Sequence, residues 1–326
     1  MESSVKITLI ICTRNRAVPL NCALKAIVNI DKPLHMEWDM MIIDNGSTDD
    51  TQNIINEFSN LLPIRSIYED SAGLSNARNR GVAEAQGDYI VWTDDDTVPD
   101  QGWLVAYENA FMCHPEAILF GGPILPIFEG KPPKWFTTEN YWVASSVAFR
   151  NFGETEILLD SDRHKTPYGA NYAVRTIEQK NVLYSPELGV SPNQKRLGEE
   201  IMVFQKLLQL GHGYWVPAAK LKHIIPPHRQ TARYLFNYYI SAGETWAFLS
   251  TTTEDNPMGQ NLSKNTLCIF RVPLIVIYKS ITHGFRIILS RIFSRQDRWI
   301  YDISQFGFYF GAAQYWYKCD HTSYKS

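Results

Sequence analysis

Four apolar runs of strand length punctuate the first hundred residues, and each leads into a polar cluster. Lys6-Ile7-Thr8-Leu9-Ile10-Ile11-Cys12 is followed by Thr13-Arg14-Asn15-Arg16, and Trp38-Asp39-Met40-Met41-Ile42-Ile43 by Asp44-Asn45-Gly46-Ser47-Thr48-Asp49-Asp50. A shorter run over 64–68 precedes Ala72-Gly73-Leu74-Ser75-Asn76-Ala77-Arg78-Asn79-Arg80-Gly81, and Tyr89-Ile90-Val91-Trp92 precedes Thr93-Asp94-Asp95-Asp96. Unbroken β-rich runs of this kind fit strands buried on both faces. Between them lie helical segments: 20–30, a stretch that Ser47 or Thr48 is placed to cap with Asp49 and Asp50 in its first turn, and a third before residue 89. The order β-α-β-α-β-α-β predicts an α/β fold with a right-handed, mostly parallel central sheet flanked by helices, its polar residues gathered at one edge.

Beyond this repeat a strand is expected at 117–120, before Gly121-Gly122-Pro123. Residues 123–167 are rich in proline and aromatics, which predicts a long loop or flap over the site. Helical periodicity returns over 199–210 and stops at Gly211, and Tyr214-Trp215-Val216 reads as a strand. Helices are expected over 233–250 and from 267 onward, joined by the polar stretch 251–265. The expected organisation is a domain over 1–230, with halves 1–122 and 123–230, and a helical C-terminal region over 231–326.

The three adjacent carboxylates Asp94, Asp95 and Asp96 repel one another, and holding them together at a strand end calls for a cation. Mg²⁺ or Mn²⁺ suits such oxygen ligands and shares them with phosphates. A solvated acidic turn is the other reading of the run taken alone.

The segments IICTRNR, IIDNGSTDDT, AGLSNARNRG and YIVWTDDDTVP, in this order and spacing, resemble the nucleotide-sugar-binding half of family-2 glycosyltransferases with the GT-A fold. The resemblance continues with Gly169-Ala170-Asn171-Tyr172, Leu197-Gly198-Glu199-Glu200 and Val216-Pro217 followed by His223, and covers about residues 5–230. It implies a Rossmann-like GT-A domain that moves a sugar, with inversion, from a nucleotide-sugar donor to a glycan or lipid-linked saccharide acceptor, UDP being the expected nucleotide. It places Thr13, Arg14 and Asp44 at the nucleobase, Arg78 at base or phosphate, Asp94 on the ribose side and Asp96 on the divalent metal, with Asp95 between them. Asn171 resembles a sugar contact and His223 a further metal or phosphate ligand, while His228 and Arg229 would close over the diphosphate. The general base is expected in an acidic pair before a helix, often Glu-Asp in the family; here the pair is Glu199-Glu200, with Glu200 favoured and Glu199 as the other candidate. Blander readings stand beside these: Asn45-Gly46 as a tight turn, Arg78 as a surface ion pair, His223 and Asn171 as structural groups.

Two other enzyme classes with nucleotide-binding α/β halves, sugar-phosphate nucleotidyltransferases and dinucleotide oxidoreductases, need a glycine-rich loop after the first strand; Thr13-Arg14-Asn15-Arg16 has no glycine. A non-catalytic sugar-binding protein of the same fold would not need the acids retained here. A net charge of −3 in 326 residues gives no support for nucleic acid as a partner. Five scattered cysteines without a CxxC pair suggest reduced thiols, and with no secretory signal at the start the expectation is a cytoplasmic protein. Between residues 264 and 298 the only acid is Asp297 amid apolar and basic residues. That segment reads either as a peripheral contact with the inner face of a membrane or as a helix packed on the catalytic domain or a second subunit. Nothing in the sequence fixes the oligomeric state.

Overall fold

The computed structural model describes residues 5–160, 165–253, 258 and 266–318. The expected alternation opens it: β1 (Lys6–Thr13), α1 (Ala17–Val28), β2 (Glu37–Asp44), α2 (Thr51–Phe58), β3 (Ile64–Tyr68), α3 (Leu74–Glu84) and β4 (Tyr89–Asp94). There follow β5 (Thr97–Pro99), α4 (Trp103–Cys113), β6 (Leu119–Gly121), β7 (Ile124–Phe128), α5 (Tyr141–Ser146), β8 (Asn171–Arg175) and α6 (Thr176–Asn181). Then come α7 (Glu199–Leu210), β9 (Gly213–Trp215), β10 (Leu221–Ile225), α8 (Ala232–Thr252), β11 (Cys268–Ile269), β12 (Val272–Pro273), α9 (Leu274–Ile292) and α10 (Gln296–Lys318).

The main sheet has the order β3-β2-β1-β4-β8-β6-β9. The first four strands run parallel, β8 is antiparallel to both its neighbours, and β9 is parallel to β6. Burial on both faces explains the continuous apolar strands. Ile7, Leu9 and Ile11 pack with Leu20 and Leu24 of α1 and with Trp103 of α4. Ile10, Met41 and Trp92 pack on the other side with Val203 and Phe204 of α7.

Two compact units result: residues 1–127, 147–194 and 199–224, and residues 128–146, 195–198 and 225–326. The stretch read as a flap is therefore shared between them, and it carries β7 and α5 rather than loop alone. Pro126 is tolerated in β7 because that strand is at the edge of a second sheet, β5-β10-β7. In the second unit α8 and α10 approach to backbone contact, since a Cβ at Gly243 would lie 1.8 Å from the Phe308 carbonyl oxygen and one at Gly311 2.0 Å from that of Ile240. α9 packs on α10. Of the polar connection, residues 254–257 and 259–265 lie outside the described residues, as do 264 and 265 of the basic segment and Cys319.

Candidate active site

Parallel register brings the polar ends of three strands into one row. Thr13 of β1 lies opposite Asp44 of β2, and Cys12 lies opposite Asp94 of β4. This is the carboxyl edge, where open α/β sheets bind ligands. After Asp96 the chain enters β5, which pairs antiparallel with β10 in the register Thr97 to His223. His223 is thereby delivered beside Asp96, its Nε2 3.5 Å from Asp96 Oδ1.

Two guanidinium groups hold the acidic row together. Arg16 donates from Nε to Asp95 Oδ1 at 2.7 Å and from Nη2 to Asp96 Oδ2 at 2.5 Å. Thr13 Oγ1 donates to Asp95 Oδ2 at 2.7 Å. Burial pushes Asp95 up to about 6, with Arg16 acting against the rise and Asp96 adding to it. Arg78, only 3% exposed, donates from Nη1 to Glu199 Oε1 at 2.8 Å, and its Nη2 lies 3.8 Å from Asp94 Oδ1. Asp94 is raised by desolvation at the cleft floor; Arg78 opposes this, Asp96 and Glu200 add to it, and His223 lowers it. Arg78 thus links Asp94 to the start of α7 through Glu199, while His223 stands beside Asp96.

The acidic pair opens α7, directly after Gly198 at φ +82°, a left-handed backbone that glycine adopts without strain. Its two members face different surroundings. Glu199 is 6% exposed and committed to Arg78, whereas Glu200 is partly exposed. Burial first, then the neighbouring Glu200, raises Glu199 to about 8 against the lowering effect of Arg78.

Asp44 accepts a hydrogen bond at Oδ1 from the Ser47 backbone N–H at 2.9 Å, and among the described residues none donates to its Oδ2. The turn that follows needs Gly46 at φ +73°, over which the Arg14 side chain lies while donating to the Asn45 carbonyl. Ser47 and Thr48 do not cap α2 as expected. They bond instead to Asn15, through Asn15 N–H to Ser47 Oγ at 2.9 Å and Thr48 N–H to Asn15 Oδ1 at 2.6 Å, and so tie the loops after β1 and β2 together. Asp49 takes over the helix start, accepting from the Thr51 N–H at 3.2 Å.

Several residues expected to meet the donor are buried and already hydrogen-bonded within the fold. Asn171 is wholly buried; its Oδ1 accepts from Trp103 Nε1 and Tyr107 Oη, both at 2.8 Å, and its Nδ2 donates to the carbonyls of Pro123 and Ala219. With its amide capacity filled, it braces β8 rather than presenting a group to a sugar. Thr13, Arg78 and Asp95 are likewise buried and committed to the partners above. His228 and Arg229 lie on a short 3₁₀ turn in the second unit. Arg16 was not singled out from the sequence, although charge counting held a signal: three clustered carboxylates require cations, and Arg16 follows the adjacent strand.

Among the described residues no three His, Cys, Asp or Glu side chains converge as a complete metal cage. The donors present fit a different kind of site. His223 Nδ1 lies 2.9 Å from the Val147 carbonyl, which can only accept, so Nδ1 carries a proton and Nε2 is the ring nitrogen turned toward Asp96. A carboxylate and an imidazole lone pair suit Mn²⁺ or Mg²⁺ when substrate phosphates and water complete the shell.

A sheet of this order, with helices on its faces and acids along its carboxyl edge, has the GT-A architecture. The profile of Glycosyl transferase family 2 matches residues 8–172, and the chain belongs to that family. A glucosyl-dolichyl phosphate glucuronosyltransferase of Haloferax volcanii is 19% identical over 52% of this chain and 53% of its own length. A putative teichuronic acid biosynthesis glycosyltransferase of Bacillus subtilis is 36% identical over 40% of this chain and 53% of its own. The chain thus spans about half the length of these curated relatives, and less of others such as a hyaluronan synthase of Pasteurella multocida, at 11%. Among solved structures, a mannosyltransferase of Pyrobaculum calidifontis in complex with GDP-Man and Mn²⁺ superposes with a TM-score of 0.54 at 17% identity, over 80% of this chain and 67% of that one. GalNAc-T7 with UDP, GalNAc and Mn²⁺ gives 0.53 at 14% identity, over 80% and 53%.

Proposed function

We propose that this chain is an inverting glycosyltransferase that moves a sugar from UDP to a hydroxyl of a glycan or lipid-linked saccharide. The observation that carries the reading is the meeting, in one compact unit, of Asp44, Asp94, Asp96 and His223 with the Glu199-Glu200 start of α7. Asp44 Oδ2 receives the imide N–H of uracil, while the Ser47 N–H fixes the carboxylate's orientation. Asp94 meets the ribose, and Asp96 with His223 would hold the divalent cation that solved relatives of this fold carry as Mn²⁺. When bound, that cation supplies Lewis-acid neutralisation of the departing diphosphate.

Glu200 takes the acceptor proton as the hydroxyl oxygen attacks the anomeric carbon. The carbon–oxygen bond to UDP breaks on the opposite face, and its electron pair leaves with the diphosphate, so configuration inverts in a single displacement. Glu199 cannot easily share this task, because its carboxylate is enclosed with Arg78. It acts as a positioning residue, locking Arg78 against Asp94.

Glu200→Gln should keep UDP binding by calorimetry but lower transfer about a hundredfold or more, and the product should show an inverted anomeric centre by NMR. A larger kcat loss in Glu199→Gln, with its UDP affinity intact, would move the base to Glu199. A product of retained configuration would discard single displacement.

A further inference from the structure

α9 carries its polarity reversed. Its inward face, against α10, holds Val276, His283 and Ser290, with His283 Nδ1 2.9 Å from Asp302 Oδ1 and Ser290 Oγ donating to Asp302 Oδ2 at 2.9 Å. Its outward face holds Tyr278, Ile281, Phe285, Ile288 and Ile292, all 58–68% exposed. Their spacing of three and four residues sets them in one stripe, which Leu274 and Leu289 widen. A helix on a water-facing surface has the opposite distribution, and a contiguous exposed apolar patch marks an interaction surface. The short β11–β12 hairpin just before it points the same way. Phe270 (φ +48°) and Arg271 (φ +70°) form its turn in the left-handed region, which is strained for a bulky residue, and Phe270 is left 82% exposed.

Charge decides what covers this face. α9 has no acid; its charged residues are Lys279, Arg286 and Arg291, and Arg271 and Arg295 continue the sign on either side, with Asp297 the acid that follows and Arg298 facing Asp302. At 100° per residue Arg286 and Arg291 flank the stripe on opposite edges. A second copy laid along the same stripe would bring like charges together at the rim. An anionic lipid surface accepts both the apolar stripe and its basic borders. No helix among the described residues is long and apolar enough to cross a membrane, so the element suits the interface plane. We infer that α9, with the hairpin before it, docks flat on an anionic lipid surface.

The test is co-sedimentation of the full chain with vesicles of phosphatidylcholine alone or mixed with phosphatidylglycerol. The wild type should pellet with the anionic vesicles at low salt and less so as salt rises. Ile281→Ser with Phe285→Ser should abolish pelleting, and Arg286→Gln with Arg291→Gln should lower the partition coefficient about thirtyfold. Ile281, Phe285 and Arg286 are exposed, and Arg291 gives up only a surface contact with the Trp299 ring, so the thermal midpoint should stay close to the wild-type value in each double variant. Wild-type protein remaining in the supernatant with anionic vesicles would overturn the inference. So would wild-type binding by the Ile281/Phe285 variant, since adhesion would then be a property of charge elsewhere. A lipid-free dimer that Phe285→Ser dissociates, without any vesicle binding, would give the face to a second copy instead.

Discussion

A carboxyl group enclosed away from water holds its proton longer than one in an unfolded chain, and Glu199 turns this into a measurable dependence of stability on pH. Its folded value is raised from an ordinary 4.5 to about 8, chiefly by burial. Between those values the folded state binds a proton that the unfolded state has released, so this group's contribution to stability is full below about pH 4.5 and is lost as pH rises toward 8. Asp95, raised to about 6, acts in the same direction but only in the lower part of the range. Histidines also change charge between pH 6 and 8, so comparison with Glu199→Gln is what separates this carboxyl from them. We expect the thermal midpoint of the metal-free wild type to fall across this interval and that of Glu199→Gln to fall distinctly less. Parallel curves for the two proteins would mean that Arg78 keeps Glu199 ionised throughout.

At the scale of elements, the helical packing of the second unit rests on positions that tolerate no side chain. A Cβ on Gly311 would stand 2.0 Å from the Ile240 carbonyl oxygen, so α8 and α10 would have to separate. Overpacking of this kind costs about 1–3 kcal/mol, which outweighs the gain of up to about 1 kcal/mol that alanine brings to a helix interior. A Cβ on Gly284 of α9 would meet only the Phe306 ring, at 3.3 Å. Gly311→Ala should thus lower the midpoint of chemical denaturation while Gly284→Ala leaves it level or raises it; equal effects would show that the close approach carries no weight. The same scale explains what could be read from the sequence. Strands β1 to β4 and helices α1 to α3 were legible because two-sided burial leaves continuous apolar runs, and Asp44 and Asp94 followed from their places at strand ends. β5 and β10 are three and five residues long and paired across more than a hundred residues, so no local pattern joins His223 to Asp96, and only the family resemblance put both at one metal. Asn171 stayed open between two readings because a polar residue in a motif looks the same whether its amide meets a ligand or bonds, as here, to four groups of the fold. Arg16 escaped because its role depends on a carboxylate pair about eighty residues away.

For the molecule as a whole, the proposed site would make donor and cation binding interdependent. In the proposed reading Asp94, Asp95 and Asp96 stand beside the diphosphate, and Arg16 and Arg78, the cations that balance them, are held in ion pairs with these acids or with Glu199. A diphosphate entering alone adds negative charge to that field, and a divalent ion entering alone finds Asp96 and His223 without the phosphate oxygens that complete its shell. Each ligand should therefore strengthen the other, a coupling typically of 1–3 kcal/mol. Ligand linkage makes this visible in unfolding, where a ligand at a hundred times its dissociation constant adds about 2.7 kcal/mol. We expect UDP with Mn²⁺ to raise the thermal midpoint by more than the summed shifts from UDP alone and Mn²⁺ alone. In Asp96→Ala the excess over that sum should vanish while a smaller shift from UDP alone persists through Asp44. Strictly additive shifts in the wild type would mean that the donor binds without a metal at this edge, and that neutralisation of the leaving diphosphate falls to the protein's own cations.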